Sequence, residues 1–405
     1  MSLPVVHLQI IDELGMGSGI LNLPMCLKES LNAIRIALGF HSGANISLTM
    51  RTNKLRRMRY LLRNEMGRIV RYLGEVVLHQ LLVAVEAIAL DVRCSKPGME
   101  SILGWRWQPH GCDLPHFDAA TFLRLVRGKS MAFVGDSVAC NHMQSLMCLL
   151  AKVEYPMEIE PRGCFHCTRK YHYREHDFTV CVYWTPFLVR WNLTHGGQSF
   201  IDPHNVYLDE SDPEWSGDVA GYDYAVLSGA KWFTRPTLLY EGGRILGCAN
   251  VDGCEAAHNA TDVAPDYALC ASFRTALRAL AGFRDRVVVR TVAPPHYENG
   301  KWYNGGNCLR TRPVRSNETS LPETEAAFHA AQVGEFRTAA SAASAARFVL
   351  MDVSEMMQMR ADGHPGQYRH WPHEKVGFSI DCMHWCLTGP VDAWNELLLH
   401  LLLSG

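Results

Sequence analysis

Ser137, Asp381 and His384 are the residues whose types and spacing could do chemistry in this chain. The serine lies in Met131-Ala-Phe-Val-Gly-Asp-Ser137-Val-Ala-Cys-Asn-His142, which reads as an apolar strand, a Gly-Asp turn and a helix opening at the serine. The other two lie far downstream, in Asp381-Cys-Met-His384-Trp385. An imidazole can take the proton of a serine hydroxyl and return it to a leaving group, and a carboxylate one turn away can fix the ring's tautomer. Together they form a Ser-His-Asp set, and the chemistry is acyl transfer through a serine ester. A serine at a helix start also has backbone N–H groups and the positive end of the helix dipole aimed where an oxyanion forms. Gly135 permits the tight turn, Asp136 reads as a turn or cap residue, and Asn141 lies one helical turn on; these are the local candidates for oxyanion or substrate support. Gly-Asp-Ser by itself is more often a surface turn, and Asp-x-x-His by itself is weak. Both in this order, each beside its expected element, carry the reading.

The elements that must hold these residues alternate. Strands are predicted at 130–134, 178–184, 224–227, 286–292 and 347–352, each a short β-branched or aromatic run apolar enough to bury both faces. Helices are predicted at 138–152, 267–281, 323–346 and 391–403. Strand–helix alternation predicts an α/β fold, a mostly parallel sheet flanked by helices. The texture changes near Cys94. Residues 1–93 are helix-prone, with Cys26 their only cysteine and a basic stretch from Arg51 to Arg71; from Cys94 onward Trp, Pro, Gly and Cys become frequent. The expected organisation is therefore an N-terminal region, 1–93, and an α/β catalytic domain, 94–405.

With 39 Lys and Arg against 41 Asp and Glu, a net charge of -2 disfavours binding to nucleic acid. Fourteen cysteines in 405 residues, with sequons at Asn45, Asn192, Asn259 and Asn317, point to disulfides and the secretory route. Neither a signal peptide nor a membrane-spanning stretch is evident in the sequence; the most apolar early segment, 76–90, carries His79, Gln80 and Glu86.

Four stretches carry a family resemblance: Gly104-Trp-Arg-Trp-Gln-Pro-His-Gly-Cys112-Asp-Leu-Pro-His-Phe117, Phe133-Val-Gly-Asp-Ser137, Arg360-Ala-Asp-Gly-His-Pro365 and Asp381-Cys-Met-His-Trp-Cys-Leu-Thr-Gly-Pro390-Val-Asp-Ala-Trp-Asn395. From about Cys94 to the C-terminus the chain resembles the plant trichome-birefringence-like polysaccharide O-acetyltransferases, particularly the xyloglucan O-acetyltransferase-like branch. The resemblance implies an α/β fold of the Gly-Asp-Ser-Leu (SGNH) esterase type. It also implies a lumenal Golgi setting with a membrane anchor, and transfer of acetyl groups to cell-wall glycan hydroxyls. The family's serine, aspartate and histidine fall on Ser137, Asp381 and His384. The expected partners are an acetyl donor, acetyl-CoA being one candidate, a polysaccharide acceptor and other Golgi glycan-synthesis proteins; no bound cofactor is expected. The chain departs from the family at Cys140, where an arginine is usual, and in residues 1–93, which do not resemble the family's anchor and first cysteine-bearing segment. The same three residues would serve an esterase that removes acetyl groups from glycans, and the departures motivate a third reading, a glycan-binding accessory protein.

Other clusters admit plainer readings. Cys164-Phe-His-Cys167 with His172 and His176 has zinc-like residue types, but the gap between pairs is too short for a finger, so disulfides or thiols are favoured and no metal is expected. Cys382 and Cys386 read as staples of the loop that carries His384. Trp232, Trp302 and Tyr303, in Gly-rich loops, could stack on sugar rings. Trp105 and Trp107 read as core. His296 and His364 are loop histidines that could touch substrate or serve structure.

Overall fold

A computed structural model describes residues 96–404 apart from 110, 160–168, 195–201, 255–259, 284, 343–347 and 369–379. The expected N-terminal region and its boundary at Cys94, the pair Cys164 and Cys167, and the sequons at Asn45 and Asn259 lie outside the described residues.

Two short helices, α1 (Met99–Leu103) and α2 (Ala119–Leu125), precede β1 (Ser130–Gly135), which leads directly into α3 (Ser137–Leu150). Then come β2 (Met157–Glu158), β3 (Arg169–Tyr173), β4 (Phe178–Trp184), β5 (Val189–Leu193), β6 (His204–Ser211), α4 (Pro213–Val219) and β7 (Tyr224–Ser228). After a single turn of 3-10 helix follow β8 (Thr237–Glu241), β9 (Arg244–Ala249), β10 (Thr261–Asp262) and α5 (Pro265–Ala279). The chain continues through β11 (Arg286–Arg290), α6 (Glu323–Ala342), β12 (Phe348–Met351), α7 (Ser354–Gln358) and α8 (Asp392–Leu403).

The strands form two sheets. The larger runs β12-β11-β7-β1-β4-β3-β2 and the smaller β10-β9-β8-β6-β5. All five strands predicted from sequence are neighbours in the larger sheet, and they are parallel. The expectation of a mostly parallel architecture nevertheless fails, because both sheets are mixed. β3 joins β4 through only four residues, and a connection that short permits only antiparallel pairing. In the smaller sheet β8 and β9 form a hairpin through Gly242-Gly243, both at positive φ (60° and 72°), which suits a two-residue hairpin turn.

β1 is central because it is apolar on both faces. Met131 and Phe133 enter one hydrophobic cluster with Leu146 and Leu150 of α3 and Trp394 and Leu398 of α8. Ala132 and Val134 enter the other with Leu269 and Phe273 of α5 and Val206 and Leu239 of the smaller sheet. The period-two alternation of the strand thus fixes which helix lies on which face. The terminal leucine run is core, as expected, with Trp394, Asn395, Leu398, Leu399 and Leu402 buried. Trp105, predicted as core, is instead 52% exposed, because it stands on an extended surface stretch; Trp107 packs partly against the first cluster. Among the described residues no helix is long and apolar enough to cross a membrane.

Candidate active site

The C-terminal ends of β1 and β7 lie side by side, Gly135 paired with Ser228, and the site forms beyond them. Gly135 is required by close approach: a Cβ there would sit 1.8 Å from the Ser228 carbonyl oxygen. Asp136 caps α3. One carboxylate oxygen accepts the Val138 N–H (2.9 Å) and the other accepts the N–H groups of Ala230 (3.2 Å) and Lys231 (3.3 Å), so the residue ties the nucleophile turn to the loop after β7. The buried cations Lys231 and Arg290 both act on this carboxylate electrostatically; Lys231 is also paired with Glu325 at 2.8 Å.

Ser137 is the first residue of α3, and its Oγ lies 2.7 Å from His384 Nε2. His384 Nδ1 lies 2.9 Å from Asp381 Oδ2. The other Asp381 oxygen accepts the N–H groups of Met383 and His384, both at 3.0 Å, so the carboxylate closes the turn that presents its own histidine. His384 and Asp381 are mostly buried, at 13% and 8% side-chain exposure, which strengthens electrostatic contacts between them. The Ser137 N–H has no acceptor among the described residues and points with the helix start.

The segment carrying Asp381 and His384 has no regular secondary structure, so other contacts must hold it. Cys382 is disulfide-bonded to Cys308, and Cys386 is also disulfide-bonded. Gly366 and Asp381 exchange two backbone hydrogen bonds, of 2.8 and 3.0 Å. Asn141 clamps Trp385, accepting its N–H (2.7 Å) and donating to its carbonyl (3.2 Å). The Asn141 side chain is therefore a support for this segment and not the oxyanion donor that its position in sequence allowed; it is fully buried.

His364 is likewise placed behind the site. It is fully buried, stacks on Trp385 at 4.1 Å, and its Nδ1 donates to the His384 carbonyl at 2.7 Å. Its Nε2 lies 2.7 Å from His296 Nδ1, and His296 Nε2 lies 3.0 Å from the Gln358 carbonyl. Both outer nitrogens face carbonyl oxygens, so each needs a hydrogen, and two neutral rings then have none left for the contact between them. Burial opposes a third proton: it pushes His296 down to about 4 and His364 well below the ordinary imidazole value.

Lys96, unremarked in the sequence, holds this region from more than 200 residues upstream. It is buried and donates to the carbonyls of Cys308 (3.1 Å), Asp362 (2.9 Å) and His364 (3.1 Å). Burial lowers its pKa to about 8. Arg360 forks onto Asp362 at 2.9 and 3.1 Å and onto the Ile102 carbonyl at 2.8 Å, which explains the Arg-x-Asp pattern as a structural clasp. No sequence signal marks Lys96 for this role, because its acceptors are backbone carbonyls remote in the chain.

Trp232 does not face an open groove. It is 8% exposed, with Trp184, Phe187 and His204 edge-on at 5.3–5.9 Å and the Arg235 guanidinium 4.3 Å from its ring. Trp302 stands at 61% exposure. His172 and His176 bond to Thr179 (3.1 Å) and Glu154 (2.6 Å).

Residues 114–401 match a family described as PC-Esterase, the GDSL/SGNH-like acyl-esterase family found in Pmr5 and Cas1p. The chain is 42% identical over 327 residues to the protein trichome birefringence-like 20 of Arabidopsis thaliana, covering 78% of this chain and 67% of that protein. It is 38% identical over 314 residues to xyloglucan O-acetyltransferase 4 of Populus trichocarpa, covering 75% and 72% of the two chains. Against xyloglucan O-acetyltransferase 2 of Arabidopsis thaliana it is 37% identical over 321 residues, covering 76% and 75%.

Proposed function

The chain belongs to the PC-Esterase family, and from that premise we propose that it transfers acetyl groups to hydroxyls of a cell-wall polysaccharide, xyloglucan or a related hemicellulose. The observation that carries the reading is the unbroken hydrogen-bond chain from Ser137 through His384 to Asp381 at a helix start.

The reaction is a double displacement. Ser137 Oγ attacks the acetyl carbonyl carbon of a donor while its proton passes to His384 Nε2. The tetrahedral intermediate collapses, the donor's leaving group departs with that proton, and an acetyl ester remains on Ser137. An acceptor hydroxyl then gives its proton to Nε2 and attacks the ester carbonyl; the sugar oxygen keeps the acetyl group and Ser137 regains the proton. Asp381 holds the ring in the tautomer that leaves Nε2 free to accept, and the Ser137 N–H at the start of α3 stabilises the oxyanion. The donor is an acetyl thioester or ester, acetyl-CoA being one candidate. The setting we propose is the Golgi lumen, with the membrane anchor expected of the family and glycosylation at this chain's sequons; the disulfides Cys248–Cys254 and Cys308–Cys382 support an oxidising compartment.

The test is intact mass after incubation with an acetyl donor, beside Ser137→Ala. The expected result is one added acetyl group, absent in the variant, with turnover reduced by roughly 10³-fold or more. The family's acyl-esterase description supports a second reading, in which water replaces the sugar hydroxyl; free acetate instead of acetylated oligosaccharide would select it. A folded, sugar-binding protein that never forms the adduct would sink both and support the accessory reading that Cys140 motivates.

A further inference from the structure

Trp302 and Tyr303 are the two most exposed large hydrophobic side chains among the described residues, at 61% and 62%. Their rings meet edge to face at 5.3 Å. Exposure of two neighbouring large rings is costly in water and marks a surface that meets something apolar.

The loop that carries them is stiff. Glu298 and Asn307 close it with two backbone hydrogen bonds of 2.7 and 2.8 Å. Inside, the Lys301 carbonyl accepts the N–H groups of Asn304 (3.1 Å) and Gly306 (2.9 Å), and the Asn304 side chain accepts the Lys301 N–H. The two backbone arms touch so closely that a Cβ on Gly306 would lie 2.5 Å from the Gly300 carbonyl oxygen. Both stems are rooted on the segment of the proposed acid and base. His296 N–H donates to the Cys382 carbonyl at 3.1 Å, and Cys308 is bonded to Cys382, the residue after Asp381.

We propose that Trp302 and Tyr303 form a platform for the acceptor polysaccharide, binding neutral pyranose rings beside the reacting sugar. This rests on the acetyl-transfer reading for the identity of the polymer. A pyranose has apolar C–H faces and a rim of hydroxyls. The two rings supply flat apolar faces, while the indole N–H, the phenol and the Lys301 ammonium supply donors at their edges. The loop's acid, Glu298, is paired with Arg310, which leaves the Lys301 ammonium beside the Tyr303 ring as a donor for sugar hydroxyls. A pre-stiffened loop loses little entropy when the polymer docks.

The test is native-gel retardation in xyloglucan and in xylan, using the full chain with Ser137→Ala to prevent turnover. Retardation of the Ser137→Ala protein is expected, and adding Trp302→Ala with Tyr303→Ala should abolish it with Tm unchanged. Leu309→Ala, an exposed neighbour outside the ring pair, should keep it. Phe at both ring positions should retain part of it, which separates loss of the rings from collapse of the loop. In the otherwise active enzyme each ring removed should raise KM for polymer by about three- to tenfold. Equal retardation and equal KM with both rings removed would overturn the platform. Ring-dependent retardation of the Ser137→Ala protein, with no acetyl adduct ever forming on the wild-type chain, would overturn the chemistry and leave the platform standing.

Discussion

At the scale of single residues, the proposed mechanism separates groups that react from groups that aim them. Asp381 does two jobs with two oxygens: one bonds the imidazole, and the other accepts both N–H groups of the turn. Asp381→Asn keeps the shape and one acceptor. Its amide nitrogen then faces His384 Nδ1, where a donor cannot bond to an N–H, and the ring turns to the tautomer that cannot deprotonate Ser137. The expected outcome is an unchanged Tm with kcat lowered on the order of 10³- to 10⁴-fold. Single-turnover acetylation of Ser137 reads this directly; a variant within a few fold of wild type would show that the carboxylate does not set the tautomer. That Ser137, His384 and Asp381 meet was legible because the proposed chemistry dictates their types and the strand and helix around Ser137 are local in sequence. Asn141, read as an oxyanion or substrate candidate, instead holds Trp385, since sequence cannot show that an amide faces a backbone 244 residues away; His364 takes the structural reading left open for it.

At the scale of elements, the α3–α8 contact holds a buried polar knot. Asp392, at the start of α8, accepts the Ser145 hydroxyl (2.6 Å) and the Gly389 N–H (3.2 Å), and Asn395 donates to the same Ser145 oxygen (2.9 Å). Burial pushes the Asp392 carboxyl up to about 6. The folded state therefore holds a proton that the unfolded chain releases near its ordinary value. This group's contribution to stability is complete below about pH 4 and is lost as pH rises through about 6, an upper limit of about 3 kcal/mol. Asp392→Asn removes the titration. Thermal unfolding of both proteins across that window should show wild type losing ground to the variant as pH rises; a constant difference would place the carboxyl's titration elsewhere. Legibility at this scale followed burial. The five parallel strands are apolar on both faces and were read directly, whereas the smaller sheet escaped. Its strand β6 buries only His204, Val206 and Leu208 on alternate positions. That period-two signal and the Gly242-Gly243 hairpin pair were present in the sequence. The charged residues around them, Asp209, Glu210, Glu241 and Arg244, obscured them.

At the scale of the whole molecule, the site joins parts that the chain keeps far apart. The proposed nucleophile, Ser137, comes from the central strand and α3, while Asp381 and His384 come from an irregular stretch near the C-terminus. Cross-links remote in sequence hold that stretch: Asn141 of α3 on Trp385, His364 on the His384 carbonyl, Lys96 on the carbonyls of Cys308, Asp362 and His364, and the Cys308–Cys382 disulfide. The disulfide closes a loop of 74 residues, and removing that closure from the unfolded ensemble is worth about 4 kcal/mol. Cys308→Ala with Cys382→Ala should therefore lower Tm by roughly 10 °C. The same pair also fixes the residue beside Asp381, so the catalytic effect should exceed what global unfolding explains. Well below the new Tm, kcat on a small acetyl ester should fall, because the segment retains the Lys96 and Asn141 ties but fluctuates about them. A variant with lowered Tm and full kcat at low temperature would show that the polar ties alone aim His384, and that the disulfide acts on the unfolded chain only.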